Sequence, residues 1–187
     1  TRLAIVDLAG SDQPLFGSAR EVLVANGEIY NYREIRSQHP SFSWKTQGDS
    51  ESILALLDAS KSKYSGVLTA RQHAQWISQL NGMYAFALWD SETRHLLLAR
   101  DPLGIKPLVR TSVDGSLLFA SESKALRAHE GHVPALDEQA LVARLAWEYP
   151  LDGTTWLKDV TQIRPGTVGD RTVPSTHLTL PSNHRSA

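Results

Sequence analysis

Residues 83–89, Met-Tyr-Ala-Phe-Ala-Leu-Trp, constrain the fold more than any other segment of this chain. Every position of the run is apolar, so a β-strand built from it has two apolar faces. Such a strand belongs in a sheet that is covered on both sides. The sequence therefore predicts a layered fold in which at least one sheet lies between other layers.

Shorter patterns predict the remaining elements. Apolar runs predict five further strands, at residues 3–6, 22–25, 95–99, 107–111 and 117–120. The last three follow 83–89 after short turns and would form a four-stranded meander with it. Helical patterns lie at residues 32–37, 51–57 and 137–147. Strands with helices between them predict an α+β fold, in which two antiparallel sheets are sandwiched by helices.

The composition is that of one globular domain with a short extension: 187 residues, of which 41% are hydrophobic and 21% charged. The net charge of −1 gives no electrostatic reason to expect a nucleic-acid or membrane partner. No apolar run approaches the length of a transmembrane helix, and no signal peptide is evident. We therefore expect a cytoplasmic location.

The chain contains no cysteine. A disulfide, a thiolate metal site and a cysteine nucleophile supplied by this sequence are therefore excluded. The seven histidines are scattered, and the nearest pair, His129 and His132, lies in a polar loop that contains glycine. We therefore expect no metal site.

A short polar motif, Asn26-Gly27-Glu28, follows the apolar run at residues 22–25. Asn-Gly predicts a sharp turn at the end of a strand. A turn there would present the Asn26 side-chain amide and the Gly27 N–H side by side, and two such donors can stabilise an oxyanion. The alternative is an ordinary hairpin turn, in which Asn-Gly is the commonest dipeptide.

Six ordered motifs extend this signal along the chain. They are Arg2–Asp7, Asn26–Asn31, Gly48–Glu51, Leu80–Ala87, Arg100–Pro107 and Phe119–Leu126. Together they resemble the glutamine amidotransferase domain of glutamine-hydrolysing asparagine synthetases. The resemblance implies an amino-terminal nucleophile hydrolase fold, a four-layer αββα sandwich. It also implies that glutamine is hydrolysed to glutamate and ammonia, and that a carboxyl-terminal domain uses this ammonia and ATP to convert aspartate to asparagine.

The resemblance also assigns roles to residues that would bind glutamine. Arg2 would pair with the substrate α-carboxylate, Asp49 would receive the α-ammonium group, and Glu28 would help to hold this amino-acid head. The backbone of the first predicted strand would line the site, at Leu3, Ala4, Ile5 and Val6. The Asn26 amide and the Gly27 N–H would form the oxyanion hole.

Each of these residues also has a purely structural interpretation when it is taken alone. Arg2 can be a surface charge, Asp49 a helix N-cap and Glu28 a solvated acid in a turn. We interpret residues 100–107 as structural, with a turn at Asp-Pro-Leu-Gly and a buried ion pair between Arg100 and Asp101.

The resemblance divides the chain into three parts. Residues 1–130 match part of the amidotransferase domain, residues 131–166 match the linker into the synthetase half, and residues 167–187 predict an unstructured tail. The family's nucleophile, a cysteine at the mature amino terminus, is missing, as is the ATP-binding half. We therefore interpret the sequence as an inactive fragment of a longer synthetase, truncated at its amino terminus.

The cofactors and partners follow from this interpretation. ATP and magnesium would act only in the missing synthetase domain, and no cofactor is expected in this chain. The expected partners are glutamine and a covalently linked synthetase domain, and the resemblance allows a homodimer of the parent protein.

Three other interpretations stay open. Thr1 could act as an amino-terminal nucleophile, although it lies beside Arg2 and hence at the wrong end of the substrate. The domain could be a scaffold that does not hydrolyse glutamine, as in the β-lactam synthetases that resemble this family. It could also be a stand-alone glutamine-binding module, against which the linker-like residues 134–166 argue.

Overall fold

The computed structural model describes residues 7, 10, 12–18, 20–64, 66–148 and 153–172. In this part of the chain the strands are β1 (Leu15–Phe16), β2 (Glu21–Ile29), β3 (Gly82–Asp90), β4 (His95–Arg100), β5 (Val109–Val113), β6 (Ser116–Ala120), β7 (Thr161–Gln162) and β8 (Val168–Thr172). The helices are α1 (Tyr32–Gln38), α2 (Glu51–Lys63), α3 (Ala70–Ile77), α4 (Ser123–Leu126) and α5 (Glu138–Trp147). The three predicted helices are confirmed, whereas the strand predicted at residues 3–6 lies outside the described residues.

The chain divides into two compact units. The amino-terminal unit contains the described residues up to Lys106 and those from Pro165 onward, and the second unit contains Pro107–Arg164. Each unit has its own antiparallel sheet. Antiparallel sheets combined with helices are the α+β class that the sequence predicts.

The amino-terminal unit is built on a five-stranded sheet in the order β1-β2-β3-β4-β8. Helices α1, α2 and α3 contribute to one buried cluster with the central strands, which includes Ile35, Ile53, Trp76, Phe86 and Leu97. Residues 84–88 of β3 are all buried, so the prediction that both faces of this strand are covered is confirmed.

A buried ion cluster holds one end of β2 and β3 in register. Glu21 and Asp90 lie opposite each other across the two strands, where like charges repel. The ammonium of Lys61 on α2 lies 2.6 Å from a carboxylate oxygen of each residue. Burial by itself would raise the pKa of Asp90, but the hydrogen bonds from Lys61 and from the Thr93 N–H, together with the charge of Lys61, outweigh it, so the pKa is lowered. The cluster therefore stabilises the register of β2 on β3, and the same register places Asn26 opposite Ala85.

The second unit contains a three-stranded sheet in the order β6-β5-β7. Its core includes Val109, Leu126 and Val160. Helix α5 begins after the N-cap residue Asp137, whose carboxylate accepts a hydrogen bond from the Ala140 N–H.

The helical period of residues 137–147 predicts one apolar face, formed by Leu136, Ala140, Leu141, Leu145 and Ala146, and this face is only partly buried. Ala140 packs inside the unit, whereas Leu136, just before the helix, and Leu145 are 64% and 77% exposed. The periodicity that indicates a helix therefore identifies the element correctly but not which of its side chains are covered.

The predicted four-stranded meander is wrong, because β3 and β4 form one hairpin and β5 and β6 form another in a different sheet. The loop after β4 is fixed by Asp101, which is 0% exposed. Its carboxylate accepts hydrogen bonds from the N–H groups of Leu103, Ile105 and Lys106 at 2.9–3.1 Å. These bonds fix the backbone of the loop that follows β4.

Arg100 binds the carbonyl groups of the same loop, whereas Asp101 binds its N–H groups. Its guanidinium donates to the carbonyl oxygens of Gly104 at 2.7 Å and Lys106 at 2.6 Å. Burial lowers the pKa of Arg100, and the charge of Asp101 partly offsets this shift. Both charged groups therefore bind the loop backbone, as expected for a structural segment.

The predicted unstructured tail is wrong over part of its length. Residues 168–172 form β8, which pairs with β4 from Ala99↔Val168 to His95↔Thr172. Strand β4 has a second edge away from β3, and β8 satisfies the backbone groups along that edge. The rest of the predicted tail, from residue 173, lies outside the described residues, and the domain boundaries at residues 130 and 166 stay predictions.

Among the described residues, no helix combines the length and the apolar character needed to cross a bilayer.

Candidate functional site

The Asn26-Gly27 motif lies within a strand, so the predicted turn and its hairpin alternative are both wrong. Strand β2 continues to Ile29, and Gly27 lies opposite Tyr84 of β3. Glycine is required at this position, because φ is 152° and a Cβ would lie 2.0 Å from the Met83 carbonyl oxygen. The local turn preference of Asn-Gly is overridden by close pairing with β3.

The chain turns only after β2 has ended, and Asn31 holds that turn. Its Oδ1 accepts a hydrogen bond from the Asn81 N–H at 2.9 Å, and its Nδ2 donates to the Gln79 carbonyl oxygen at 2.9 Å. The Tyr30 N–H donates to the Asn81 carbonyl oxygen at 2.7 Å. These bonds join the end of β2 to the beginning of β3 and so keep the polar motif in place.

The two edges of β2 are satisfied in different ways. One edge pairs with β3 along the whole strand, whereas β1 covers only the first part of the other edge. Farther along that edge the Gln13 side chain binds the backbone of Ala25, and Oδ2 of Asp49 accepts a hydrogen bond from the Ile29 N–H at 2.7 Å. Alternate residues of a strand direct their N–H groups to the same edge. The N–H of Gly27 therefore lies between those of Ala25 and Ile29 on this edge.

Asp49 belongs to this site by its own contacts. Ser50 is the N-cap residue of α2, so the helix-cap alternative for Asp49 is wrong. Asp49 is 8% exposed, and its carboxylate reaches β2 instead of the first turn of its own helix. One carboxylate oxygen thus supports the strand, and the group brings a negative charge to within two residues of Gly27.

The loop that carries Asp49 is organised by Glu51. Oε1 of Glu51 accepts a hydrogen bond from the Lys45 N–H, and Oε2 accepts from both the N–H and the hydroxyl of Thr46. The Thr46 hydroxyl in turn accepts from the Gly48 N–H at 3.1 Å. Glu51 is only 2% exposed, so its charged hydrogen bonds to residues 45 and 46 fix the loop that precedes Asp49.

Four of the predicted site residues come together at this end of β2. They are Asn26, Gly27, Glu28 and Asp49. Glu28 is half-buried in the strand opposite Met83, which differs from the solvated turn acid that is its structural alternative. The remaining predicted residues lie outside the described part of the chain: Arg2, Leu3, Ala4, Ile5 and Val6.

Sequence reasoning misses two residues that support the site, Gln13 and Glu51. Gln13 precedes a proline in a turn-like segment, and no pattern distinguishes it from a surface residue. The sequence identifies Glu51 as the last residue of the motif Gly48–Glu51 and as an acid in the first turn of α2, a common position for acids, but gives it no role in the site. Its burial and its bonds to the preceding loop depend on the folded chain.

The side chain of Tyr84, opposite Gly27, is buried. Burial raises the pKa of its phenol to about 12, with a further contribution from the charge of Asp101. The phenol is therefore uncharged at neutral pH and adds no negative charge to this part of the sheet. In the described part of the chain, no three His, Asp or Glu side chains are grouped as ligands for a metal ion.

Solved structures and curated sequences both contain similar proteins. The fold is similar to that of glutamine phosphoribosylpyrophosphate amidotransferase from Bacillus subtilis, solved with ADP and GMP, with a TM-score of 0.51 and 30% identity. This likeness covers 62% of the present chain and 25% of that chain, and it confirms the predicted amino-terminal nucleophile hydrolase fold.

Two asparagine synthetases described as glutamine-hydrolyzing are also similar. The first, number 1 of Bacillus subtilis, is 32% identical over 168 residues, which is 88% of this chain and 24% of the relative. The second, number 3 of Arabidopsis thaliana, is 38% identical over 128 residues, which is 67% of this chain and 20% of the relative. The chain thus spans about a quarter or less of these relatives.

The family comparison covers nearly the whole chain. The family of the glutamine amidotransferase domain matches residues 1–180, and so extends beyond residue 166, where the predicted linker ends. The match includes every residue of the site at the end of β2. This chain therefore belongs to the glutamine amidotransferase domain family.

Proposed function

We propose that this domain binds L-glutamine at the end of β2 and, within a longer protein, releases ammonia from it for ATP-dependent conversion of aspartate to asparagine. The observation that carries the proposal is the hydrogen bond between Asp49 and the Ile29 N–H. The bond holds a carboxylate on the strand residue two positions from Gly27, which supports the proposal that a group for an amino-acid head and donors for an oxyanion lie at the same end of β2. The similarity to asparagine synthetases supports the choice of acceptor.

In this proposal each residue has a distinct role. Asp49 and Glu28 bind the α-ammonium group of glutamine, and Arg2 pairs with its α-carboxylate. The Asn26 amide and the Gly27 N–H stabilise the oxyanion that forms when the γ-carbonyl is attacked. Removing one such donor typically raises the barrier by about 3 kcal/mol.

The remaining parts of the proposal concern the longer protein. ATP and magnesium would act in its synthetase portion, which is also the covalent partner of this domain, and the reaction would take place in the cytoplasm. The second function is that of a scaffold domain that does not hydrolyse glutamine, as in the β-lactam synthetases that resemble this family. Glutamine binding separates the two proposals.

We expect Asp49→Asn to weaken L-glutamine binding by about 10- to 100-fold, because a hydrogen bond to a charged group contributes about 1.5–3 kcal/mol. Asparagine keeps an oxygen that can accept from the Ile29 N–H, so the strand contact is preserved while the charge is lost. Isothermal titration calorimetry of the purified chain with L-glutamine measures the affinity. Asp58→Asn makes the same change on α2, where Asp58 accepts a hydrogen bond from the Ser18 hydroxyl instead.

Two outcomes would contradict the proposal. Equal affinity of Asp49→Asn and the wild-type chain would remove Asp49 from the site. Absence of glutamine binding by the wild-type chain would favour the scaffold function.

We also expect the chain of this sequence to release no glutamate from glutamine. Without a cysteine there is no thiolate to attack the γ-carbonyl, and the oxyanion donors have no intermediate to stabilise. Glutamate formation is measured with purified chain against a heat-inactivated sample. Release that disappears in Thr1→Ala would contradict this expectation and would identify Thr1 as a nucleophile.

A further inference from the structure

The side chain of Gln13 takes the place of a residue of β1. Strand β1 begins at Leu15, which lies opposite Leu23 of β2. In the same antiparallel register the position opposite Ala25 belongs to residue 13. The Gln13 amide fills that position, because Nε2 donates to the Ala25 carbonyl oxygen and Oε1 accepts from the Ala25 N–H, both at 2.8 Å.

This pairing matters for the residues that follow Ala25. Gly27 has a φ of 152°, and glycine has the greatest backbone freedom of all residues. The direction of its N–H therefore depends on how firmly its neighbours on the same edge are held. Asp49 holds Ile29 on one side of Gly27, and Gln13 holds Ala25 on the other.

We infer that Gln13 is a positioning residue, which holds Ala25 so that the Asn26 and Gly27 donors point at the oxyanion formed on the γ-carbonyl of glutamine. The inference rests on the proposed function, because it gives a role to a residue that makes no contact with the substrate. Loss of both hydrogen bonds removes the contacts that the described residues make with Ala25 on this edge of β2, so that this part of the edge can fray.

The experiment compares three ligands that share an amino-acid head. They are L-glutamine, 2-aminobutanoate and 2-amino-4-sulfobutanoate. The second lacks the γ-carboxamide of glutamine, and the third carries a tetrahedral sulfonate where the oxyanion would form. Gln13→Leu removes both hydrogen bonds at similar side-chain size, and Gln13→Glu keeps an acceptor for the Ala25 N–H but loses the donor. Ser18→Ala is the matched control, since it removes a 2.9 Å hydrogen bond to Asp58 on α2.

We expect Gln13→Leu to weaken binding of the sulfonate analogue about tenfold, as for the loss of one or two ordinary hydrogen bonds. Binding of 2-aminobutanoate should change less than about twofold, as for substitutions away from a contact. Gln13→Glu should lie between Gln13→Leu and the wild type, and Ser18→Ala should match the wild type with all three ligands. Thermal unfolding of each variant shows that it is folded, and Gln13→Glu alone decides the outcome if Gln13→Leu does not fold.

A merely structural role predicts a different pattern. Equal weakening of all three ligands, or none, in folded Gln13 variants would overturn the inference and leave the proposed function standing. A wild-type chain that binds none of the three ligands would overturn the proposed function and the inference together.

Discussion

Replacing Gly27 by alanine is expected to unfold the amino-terminal unit under conditions in which the wild-type chain is folded. A Cβ at this position would lie 2.0 Å from the Met83 carbonyl oxygen and 2.7 Å from the Tyr84 Cα. Both atoms belong to the backbone of β3, so relief requires separation of two central strands. We expect the free energy of unfolding to fall by about 4 kcal/mol or more, which is at the upper end for a single substitution.

Gly66→Ala is the matched control for this change. Gly66 belongs to the same unit and also has a positive φ, of 81°, but a Cβ added there would have no atom within 4 Å. Only the conformational strain remains there, and it costs about 1–2 kcal/mol. Urea denaturation followed by circular dichroism measures both variants. If Gly27→Ala is destabilised no more than Gly66→Ala, the close approach of β2 and β3 is not essential to the fold.

The same close approach explains the glycine at position 82 of β3, which lies opposite Ile29. A Cβ on Gly82 would lie 2.2 Å from the Glu28 carbonyl oxygen, at the other side of the same strand pair. The two strands therefore lie close together beside the polar motif. A site that uses the backbone N–H of Gly27 benefits, because a tightly paired backbone holds its donors in a fixed direction.

Sequence patterns predict the elements of this fold well where the signal is local. The apolar run at residues 83–89 identifies β3, and the acids before residues 53–57 identify the start of α2. Their side-chain periods repeat within a few residues and need no knowledge of the rest of the chain. The resemblance to a known family adds Asn26, Gly27, Glu28 and Asp49, which the structure brings together.

Patterns fail where a partner distant in sequence decides the outcome. Asn26-Gly27 has a strong local preference for turns, but β3 pairs across it and keeps it in a strand. Residues 168–172 have no periodicity of their own, and they become a strand because β4 offers an edge. Gln13 imitates a strand residue with its side chain, an arrangement that no sequence period encodes.

The second large effect is expected at Asp101. Asp101→Ala should lower the free energy of unfolding by about 4 kcal/mol, because it removes the charged acceptor of three loop N–H groups and a hydrogen bond to a charged group contributes about 1.5–3 kcal/mol. Asp101→Asn keeps one acceptor oxygen and should cost about half as much. Glu92→Gln, which removes an exposed carboxylate from the turn between β3 and β4, should stay within about 0.5 kcal/mol of the wild type.

The pH dependence separates the charge of Asp101 from its shape. Burial by itself would raise its pKa, but the backbone hydrogen bonds, with those from the Lys106 and Ile105 N–H groups the largest, together outweigh it, so the pKa is lowered. A carboxyl group with a lowered folded-state pKa contributes stability above its unfolded value of about 3.9, and this contribution is lost as the pH falls through the folded-state pKa. The difference between wild type and Asp101→Asn, measured by urea denaturation, should therefore be constant between about pH 7 and 5 and shrink below about pH 4. A difference that persists unchanged at low pH would mean that the shape of the carboxyl group, and not its charge, holds the loop after β4.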